Sequence, residues 1–419
     1  MNRNVEAKEW GKYRRILQLV IGILVAIFIL FTNGYSQSTA GYIYGKIYTI
    51  DNEYTGQLRW GKEEAFWDDH FNAAKLYKSQ STVSPEKGSS SWGDFDWRLS
   101  SIWDDKNVQV YHQFVVQFGD IQSIDIIGKS KAAITLKNGS KLEVGGEGYN
   151  DIGTSITVLD SELGSLNIPW HRIKRIEFMD TPSRLKYILG KPLYGEVETV
   201  RKGKIKGYIQ WDHDERLSLD KLDGQTREGN VSVQFGNIKS IERYQNGSNV
   251  ETISGAVYYV TGTNDVNHEN RGIIVSVEGV GKIDIPWRAF KKVNLVAADG
   301  SGAAYQDYKR PQGIKAKVIT FEGNSFSGNI VYDLDETWEV EMLEGKDDEI
   351  VYKLPFRNIK RIQPKNYDYS LIELRNGESL LLGGMRDVSD QNDGVLVIQE
   401  KDVKPVFIEW KNISEIVFK

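Results

Sequence analysis

The 419-residue chain is 40% apolar and 26% charged, carries a formal net charge of −5 and contains no cysteine. These values place it among globular proteins long enough for several compact units. They exclude disulfides, thiolate metal sites, cysteine nucleophiles and a lipidated N-terminal cysteine, and with no long block of Lys or Arg a nucleic-acid partner has no electrostatic footprint to recognise.

Residues 1–36 read as a leader. Five basic side chains (Arg3, Lys8, Lys12, Arg14, Arg15) stand against two acidic ones (Glu6, Glu9), and an apolar run follows from Ile16 to Phe31, interrupted only by Gln18. Gly34 and Ser36 are small enough for a cleavage site before Gln37, which completes the layout of a secretory signal. The rival is an uncleaved membrane tether through residues 16–31. That run makes roughly 24 Å of helix, short of the ~30 Å hydrocarbon core, so cleavage is favoured. Either way the chain is expected to be exported, to the periplasm or cell surface. Cleavage removes a net +3 and leaves a mature chain of net charge −8.

The body of the chain repeats one cadence six times: "FGDIQSIDI" at 118, "IPWHRIKRIEF" at 168, "FGNIKSIER" at 235, "IPWRAFKKVNL" at 285, "FRNIKRIQP" at 356 and "IEWKNISEIVF" at 408. The anchor aromatics are Phe118, Trp170, Phe235, Trp287, Phe356 and Trp410, at intervals of 52, 65, 52, 69 and 54 residues. Short and long steps alternate, so the six units form three pairs. Other landmarks keep the phase. "GQLRWGKEE" (56), "GYIQWDHDE" (207) and "GNIVYDLDE" (328) fall in the first halves; "LKNGSKLEVGGEGYND" (136), "ISGAVYYVTGTND" (253) and "LRNGESLLLGGMRD" (374) fall in the second.

Within a unit, short runs of alternating polarity stop at Gly or Asn-Gly, the signal for strands joined by hairpins. The i, i+3 spacing after each anchor fits a single 3₁₀ turn feeding a last strand, and Pro169, Pro286 and Pro355 preset φ for three of those turns. The expected fold is all-β: three tandem pairs of small SH3-like β-barrels. The boundaries are 37–180 for the first pair, 193–296 for the second and 314–419 for the third. Linkers are expected at 181–192, apolar enough to pack, and at 297–313, rich in Gly and Ala and expected to be flexible.

The I-P-W-x-x-I-x-x-I cadence and the segment "VTGTNDVNHENRGI" at 260–273 resemble tandem SH3-like or Sm-like barrel modules of exported bacterial proteins with no assigned role. The resemblance covers nearly all of residues 45–419. It implies an architecture and no activity.

The first pair carries an insertion. From Trp60 to Phe118 is 58 residues, whereas Trp211 to Phe235 and Tyr332 to Phe356 are 24 each; the excess of 34 falls at about 72–107. Trp92, Phe95, Trp97 and Trp103 lie there beside Asp94 and Asp96. Aromatic platforms flanked by carboxylates suit sugar rings or a partner's apolar patch; the alternative is that the rings cover an open barrel edge.

Two acidic motifs recur. Glu64, Glu215 and Glu336 share one repeat position, each preceded by an acid, Glu63, Asp214 and Asp335. Adjacent strand residues point to opposite faces, so a solvated hairpin tip is expected rather than a Ca²⁺ site or an acid/base pair. The second motif is D-V-x-x-x-N-x-G, at Asp265, Asn270 and Gly272 and again at Asp387, Asn392 and Gly394, and lost from the copy at Asp151. Asx turns account for it, with a loop cation site as the alternative; it lacks the full spacing of an EF-hand loop. The five histidines share no repeat position, and no Walker A loop, dinucleotide fingerprint or G-x-S-x-G occurs. No catalytic residue, metal or cofactor is expected. The sequence therefore points to a non-catalytic interaction or scaffold protein of the cell envelope with a protein or glycan partner. The alternatives are an envelope hydrolase using Glu63, Glu64, Asp68 and Asp69, and a structural spacer.

Overall fold

Every anchor aromatic heads a short turn that runs straight into a strand. In the computed structural model, which describes residues 38–76, 113–399 and 404–419, 3₁₀ turns begin at Phe118, Trp170, Phe235, Phe356 and Trp410. Trp287 sits in a comparable turn closed by Ala289 N–H on Pro286 O at 2.8 Å. All six rings are buried, none more than 7% exposed. The leader and residues 77–112 lie outside the described residues.

The described residues form thirty strands, all paired antiparallel, and no helix longer than a three-residue 3₁₀ turn; none is long and apolar enough to cross a membrane. The first repeat holds β1 (Tyr44–Thr49), β2 (Glu53–Trp60), β3 (His70–Lys75), β4 (Gln113–Gln117), β5 (Ile121–Gly128), β6 (Lys131–Leu136), β7 (Lys141–Gly145), β8 (Ile156–Asp160), β9 (Gly164–Ile168) and β10 (Ile173–Phe178). The second holds β11 (Tyr194–Thr199), β12 (Lys204–Trp211), β13 (Lys221–Thr226), β14 (Gly229–Gln234), β15 (Ile238–Tyr244), β16 (Gly247–Thr252), β17 (Val257–Val260), β18 (Ile273–Val277), β19 (Gly281–Ile285) and β20 (Phe290–Leu295). The third holds β21 (Lys315–Thr320), β22 (Ser325–Tyr332), β23 (Met342–Asp347), β24 (Ile350–Pro355), β25 (Ile359–Pro364), β26 (Tyr369–Leu374), β27 (Ser379–Gly383), β28 (Val395–Ile398), β29 (Val406–Ile408) and β30 (Ile413–Phe418).

Strand order in the first repeat is β4-β3-β7-β6-β5-β10-β1-β2-β8-β9. Read as two five-strand halves in sequence, β1–β5 and β6–β10, the halves exchange strands. β2 pairs with β8 and β3 with β7, so neither half completes a sheet from its own strands. The last strands of the two halves, β5 and β10, pair with each other at the centre. The second and third repeats pair the same way: β12 with β18, β15 with β20, β22 with β28, β23 with β27 and β25 with β30. In the second repeat, β13 reaches β17 only through the Gln225–Thr261 bridge. β19 pairs with β24 and so joins the second repeat to the third.

The second i+3 step of the cadence has its own cause. β10 pairs Ile173 with Thr49 and Arg175 with Tyr48, leaving Lys174 as an extra residue in a bulge. A bulge shifts the side-chain phase by one, so Ile173 and Ile176, three apart, both face the core. The same shift recurs at Phe290 of β20 and Ile413 of β30, and after Ile121, Ile238 and Ile359 in the first halves. Between the two anchors of each repeat sits the aromatic that ends the second strand. Trp60 lies 5.2 Å from Phe118 and 6.1 Å from Trp170; Trp211 lies 6.2 Å from Phe235 and 6.0 Å from Trp287; Tyr332 lies 5.0 Å from Phe356 and 5.9 Å from Trp410, all between ring centroids.

Residues 297–313, expected to be flexible, are docked instead. Tyr308 is buried in the core of the first repeat, Tyr305 packs 4.4 Å from Trp67 and donates to Ile121 O, and Ser301 Oγ accepts from Gly41 N–H. The reason is local: Gly119, at anchor-plus-one, leaves room for the Tyr308 ring, whose atoms would lie 2.5 Å from any Cβ placed there. The connection from second to third repeat thus runs across the first. Residues 181–192 also pack, with Tyr42 Oη donating to Gly190 O and Ile188 and Leu189 against the Tyr42–Phe66–Leu217 cluster.

One acid per repeat ties these contacts together. Asp69, Asp220 and Glu341 each turn one oxygen to two N–H groups of their own loop: Ala65 and Phe66, Arg216 and Leu217, Thr337 and Trp338. Each also takes a cation from a neighbouring repeat. Asp69 meets Arg216 at 3.2 Å and Lys282 at 3.1 Å, Asp220 meets Arg59 at 2.6 Å, and Glu341 meets Lys75 at 2.5 Å. Burial pushes Asp69 up, but Arg216, Lys282 and the loop N–H groups outweigh it and hold the carboxyl at about 2.

Trp287→Ala is expected to cost about 3–5 kcal/mol, as for other buried large aromatics, read from denaturant melts. Asp69→Ala takes the carboxylate from Lys282, 7% exposed, and leaves Arg216, 1% exposed, with Asp68 as its remaining acid, and is expected to cost about 3–5 kcal/mol. Asp220→Ala, in a more exposed pair, is expected to cost only about 1–2 kcal/mol, the scale of a lost cap. Equal losses at Asp69 and Asp220 would contradict the burial argument.

Candidate functional site

The two acidic motifs meet. Each strand-ending aromatic is followed by a tight turn in which positive φ falls on Gly61, on Asp212 and His213, and on Asp333 and Leu334. The turn closes when Glu64, Glu215 and Glu336 N–H donate back to Trp60, Trp211 and Tyr332 O. The aromatic's polar atom then reaches the second motif: Trp60 Nε1 donates to Asp151 O at 2.8 Å, Trp211 Nε1 to Asp265 O at 2.9 Å and Tyr332 Oη to Asp387 O at 2.5 Å.

The carboxylate of that Asp extends a sheet. Asp151 accepts from Asn72 N–H, Asp265 from Asp223 N–H and Asp387 from Glu344 N–H, each at 2.6 Å. Each donor lies two residues before the cross-half pairing begins, at Ala74, Gln225 and Lys346. Alternate residues of an antiparallel strand present their N–H to the same edge, so the carboxylate occupies the place of the missing neighbour. Asn270 and Asn392 lock the rest of the loop: each amide reaches back to the Asp carbonyl, at 3.4 and 3.2 Å, and its oxygen accepts from Gly272 or Gly394 N–H. The first repeat has lost the Asn and its lock yet keeps Asp151 in its contacts.

The expectation of solvated tips is overturned. Glu64, Asp335 and Glu336 are at most 8% exposed, because the turn folds the acids inward beneath the second motif rather than out along the strand. Burial and then Asp151 push Glu64 well up, and burial raises Asp151 to about 7 against the pull of the Asn72 N–H groups. In the second repeat burial and Asp214 raise Glu215 to about 10, and burial raises Asp265 to about 6. There the carboxylate oxygens of Asp212, Asp214 and Glu215 lie within 4.8 Å of one another, with Arg271 bridging to Asp214 at 2.6 Å and Asp212 at 3.6 Å.

In the third repeat the acids open onto a cleft of about 270 Å³ shared with the first repeat. Asp333, Asp335, Glu336, Glu341, Glu344 and Asp387 line it, with Gln113, Val115 and Tyr149 opposite. Arg386 bonds Asp333 at 2.6 Å and also Asp393; Lys75 bonds Asp335 at 2.8 Å; Lys353 bonds Glu344 at 2.8 Å. Burial, then Asp335 and Asp387, pushes Glu336 well above the usual range.

Of the other residues singled out in the sequence, Trp92, Phe95, Trp97 and Trp103 lie outside the described residues. Glu63 holds the Asn150 amide at 2.9 Å, and Asp68 pairs with Arg216 at 3.3 Å. The cross-repeat cations Lys75, Arg216 and Lys282 carried no local motif. Arg216 left one faint signal, a charge where the equivalent positions hold Ala65 and Thr337. Comparison with known proteins finds no matching family model, no similar curated protein and no similar solved structure.

The raised carboxyls make stability depend on pH. A carboxyl held up in the fold contributes in full below its unfolded value near 4 and loses that contribution as pH rises through the folded value, here about 6 to 7 for Asp265 and Asp151. Asp69 has the opposite sign but loses its contribution only toward pH 2. In chelator, the melting temperature is expected to fall between pH 5 and pH 8. Asp151→Asn keeps an acceptor for Asn72 N–H, removes the charge facing Glu63 and Glu64, and is expected to flatten the profile and melt higher than the parent at pH 8.

Proposed function

We propose that the chain is a non-catalytic interaction or scaffold protein of the cell envelope, built of three pairs of small SH3-like barrels and binding a protein or glycan partner. The barrel reading is supported by the order within each five-strand group. In the group β9-β8-β2-β1-β10, a 3₁₀ turn leads from β9 into β10, which returns to β1. The leader-like N-terminus supports placement in the envelope.

The observation that carries the non-catalytic reading is threefold repetition of the acid contacts. Asp151, Asp265 and Asp387 all serve a strand N–H, and Asp69, Asp220 and Glu341 all serve a loop and a neighbouring repeat. Backbone contacts repeated in all three repeats, with Asp69 held ionised by two cations, suit a frame better than a general acid. Binding then falls to exposed apolar side chains. Among the described residues, the β15–β17 region presents Tyr244, Ile253, Val257, Tyr258 and Tyr259, between 39% and 68% exposed; the sequence's own candidates are Trp92, Phe95, Trp97 and Trp103.

The full-length chain is expected to show no turnover of envelope glycan or peptide substrates. It is also expected to be retained by a cell-wall glycan pellet or by one protein in envelope extract. Tyr258→Ala/Tyr259→Ala, or deletion of residues 79–103, is expected to lose that retention without lowering the melting temperature. Turnover that disappears in Glu64→Gln or Asp151→Asn would replace this reading with the hydrolase.

A further inference from the structure

The acid turn is built alike in the second and third repeats, but its counter-charge is not. In the second, Arg271 spans Asp212 and Asp214. At the position of Arg271 the third repeat carries Asp393, and at the position of Asn264 it carries Arg386, which turns to Asp333 and Asp393. Lys75, reaching in from the first repeat, takes Asp335 and Glu341. Glu336 is left over. It is 8% exposed, lines the cleft, and its Oε2 has no hydrogen-bond partner.

An unsatisfied buried carboxyl oxygen is costly, and its neighbours in the cleft are mostly other acids. Six carboxylates line the cleft, whereas three cations, Arg386, Lys75 and Lys353, reach them. Arg386 pairs with Asp333, Lys75 with Asp335 and Glu341, and Lys353 with Glu344, which leaves Glu336 and Asp387 without an ion pair among the described residues. Space is available: about 270 Å³ admits an ion with several waters, at ~30 Å³ per water. Oxygen-only donors, carboxylates in surplus and room for a loose, hydrated shell suit a large hard cation. A smaller ion demanding near-ideal octahedral geometry fits less well.

We propose that the cleft between the first and third repeats is a Ca²⁺ site, with Glu336 and Asp387 as its protein ligands and water completing the shell. The site is confined to the third repeat, where the turn opens onto the cleft of about 270 Å³; in the second repeat Glu215 Oε2 also lacks a hydrogen-bond partner, but Arg271 spans Asp212 and Asp214 beside it. Bound there, the ion offsets the acidic wall of the third repeat against which Lys75, Gln113 and Tyr149 of the first repeat rest, and so couples the two repeats.

The test uses the full chain, stripped with chelator and titrated by calorimetry and thermal melting with CaCl₂, with MgCl₂ and spermidine at matched ionic strength as comparisons. Ca²⁺ is expected to bind once and to raise the melting temperature; at a hundredfold excess over its Kd it favours the folded state about a hundredfold. Glu336→Gln is expected to weaken binding by more than about tenfold, a loss seen even for outer-shell partners of metals, and Glu215→Gln to leave it unchanged. Tb³⁺ provides a second readout, since Tyr149 lines the cleft: its luminescence on tyrosine excitation should drop in Tyr149→Phe and compete with Ca²⁺. Should Glu336→Gln not fold, Asp387→Asn takes its place in both assays. No calorimetric binding, binding insensitive to both substitutions, or equal stabilisation by Mg²⁺ or spermidine would overturn the proposal.

Discussion

The exchange of strands between the halves of a repeat is the constraint from which the remaining structure follows. Because β2 finds β8 and β3 finds β7, each half leaves two strand edges open until the other half arrives. Unpaired buried N–H and C=O groups are costly, so neither half satisfies its backbone alone. The central pairing of the two last strands is where this matters most. There Ile124 meets Ile176, and both are fully buried. Those two strands are also the ones the anchor turns lead into.

The acid positions follow from the same constraint. Where the incoming strand falls short, a backbone donor at Asn72, Asp223 or Glu344 needs an acceptor, and the Asp of the second motif supplies it. The aromatic at the end of the second strand holds that Asp in place through its main chain and simultaneously fills the space between the anchors. Packing and polar satisfaction are thereby joined in one side chain, so Trp60, Trp211 and Tyr332 cannot be exchanged for an aliphatic residue without losing both.

Much of this was legible in the sequence, and what was not has definable causes. Period, pairing into three repeats and the buried anchor turns came from spacing alone, because one turn of 3₁₀ helix has a fixed residue count. The strand exchange was not legible, since five strands followed by five strands read the same whether each set closes on itself or on its neighbour. The two acidic motifs were each visible, yet their meeting was not: Glu64 and Asp151 are 87 residues apart, and only the three-dimensional register brings them together. Lys75 and Arg216 were invisible for a related reason. Their partners lie in other repeats, so no local pattern marks them. The Gly- and Ala-rich stretch 297–313 misled because composition speaks for loops in general, whereas Tyr305 and Tyr308 within it found a groove over Gly119.

Buried acids are retained at equal positions in all three repeats, but each repeat neutralises them differently. The first has Lys282 from the second repeat bonded to Asp69; the second uses its own Arg271; the third uses Arg386 and borrows Lys75. Removing one partner from a buried charge pair is strongly destabilising, while the pair itself adds little over an apolar replacement. Such pairs are therefore poor sources of stability and good sources of specificity: they fix which repeat sits against which. Because the backbone frame depends on the acids and not on the identity of their counter-charges, the counter-charges are free to differ. The asymmetry among the repeats, rather than their likeness, is accordingly where the chain has room to bind something at one repeat and not at the others.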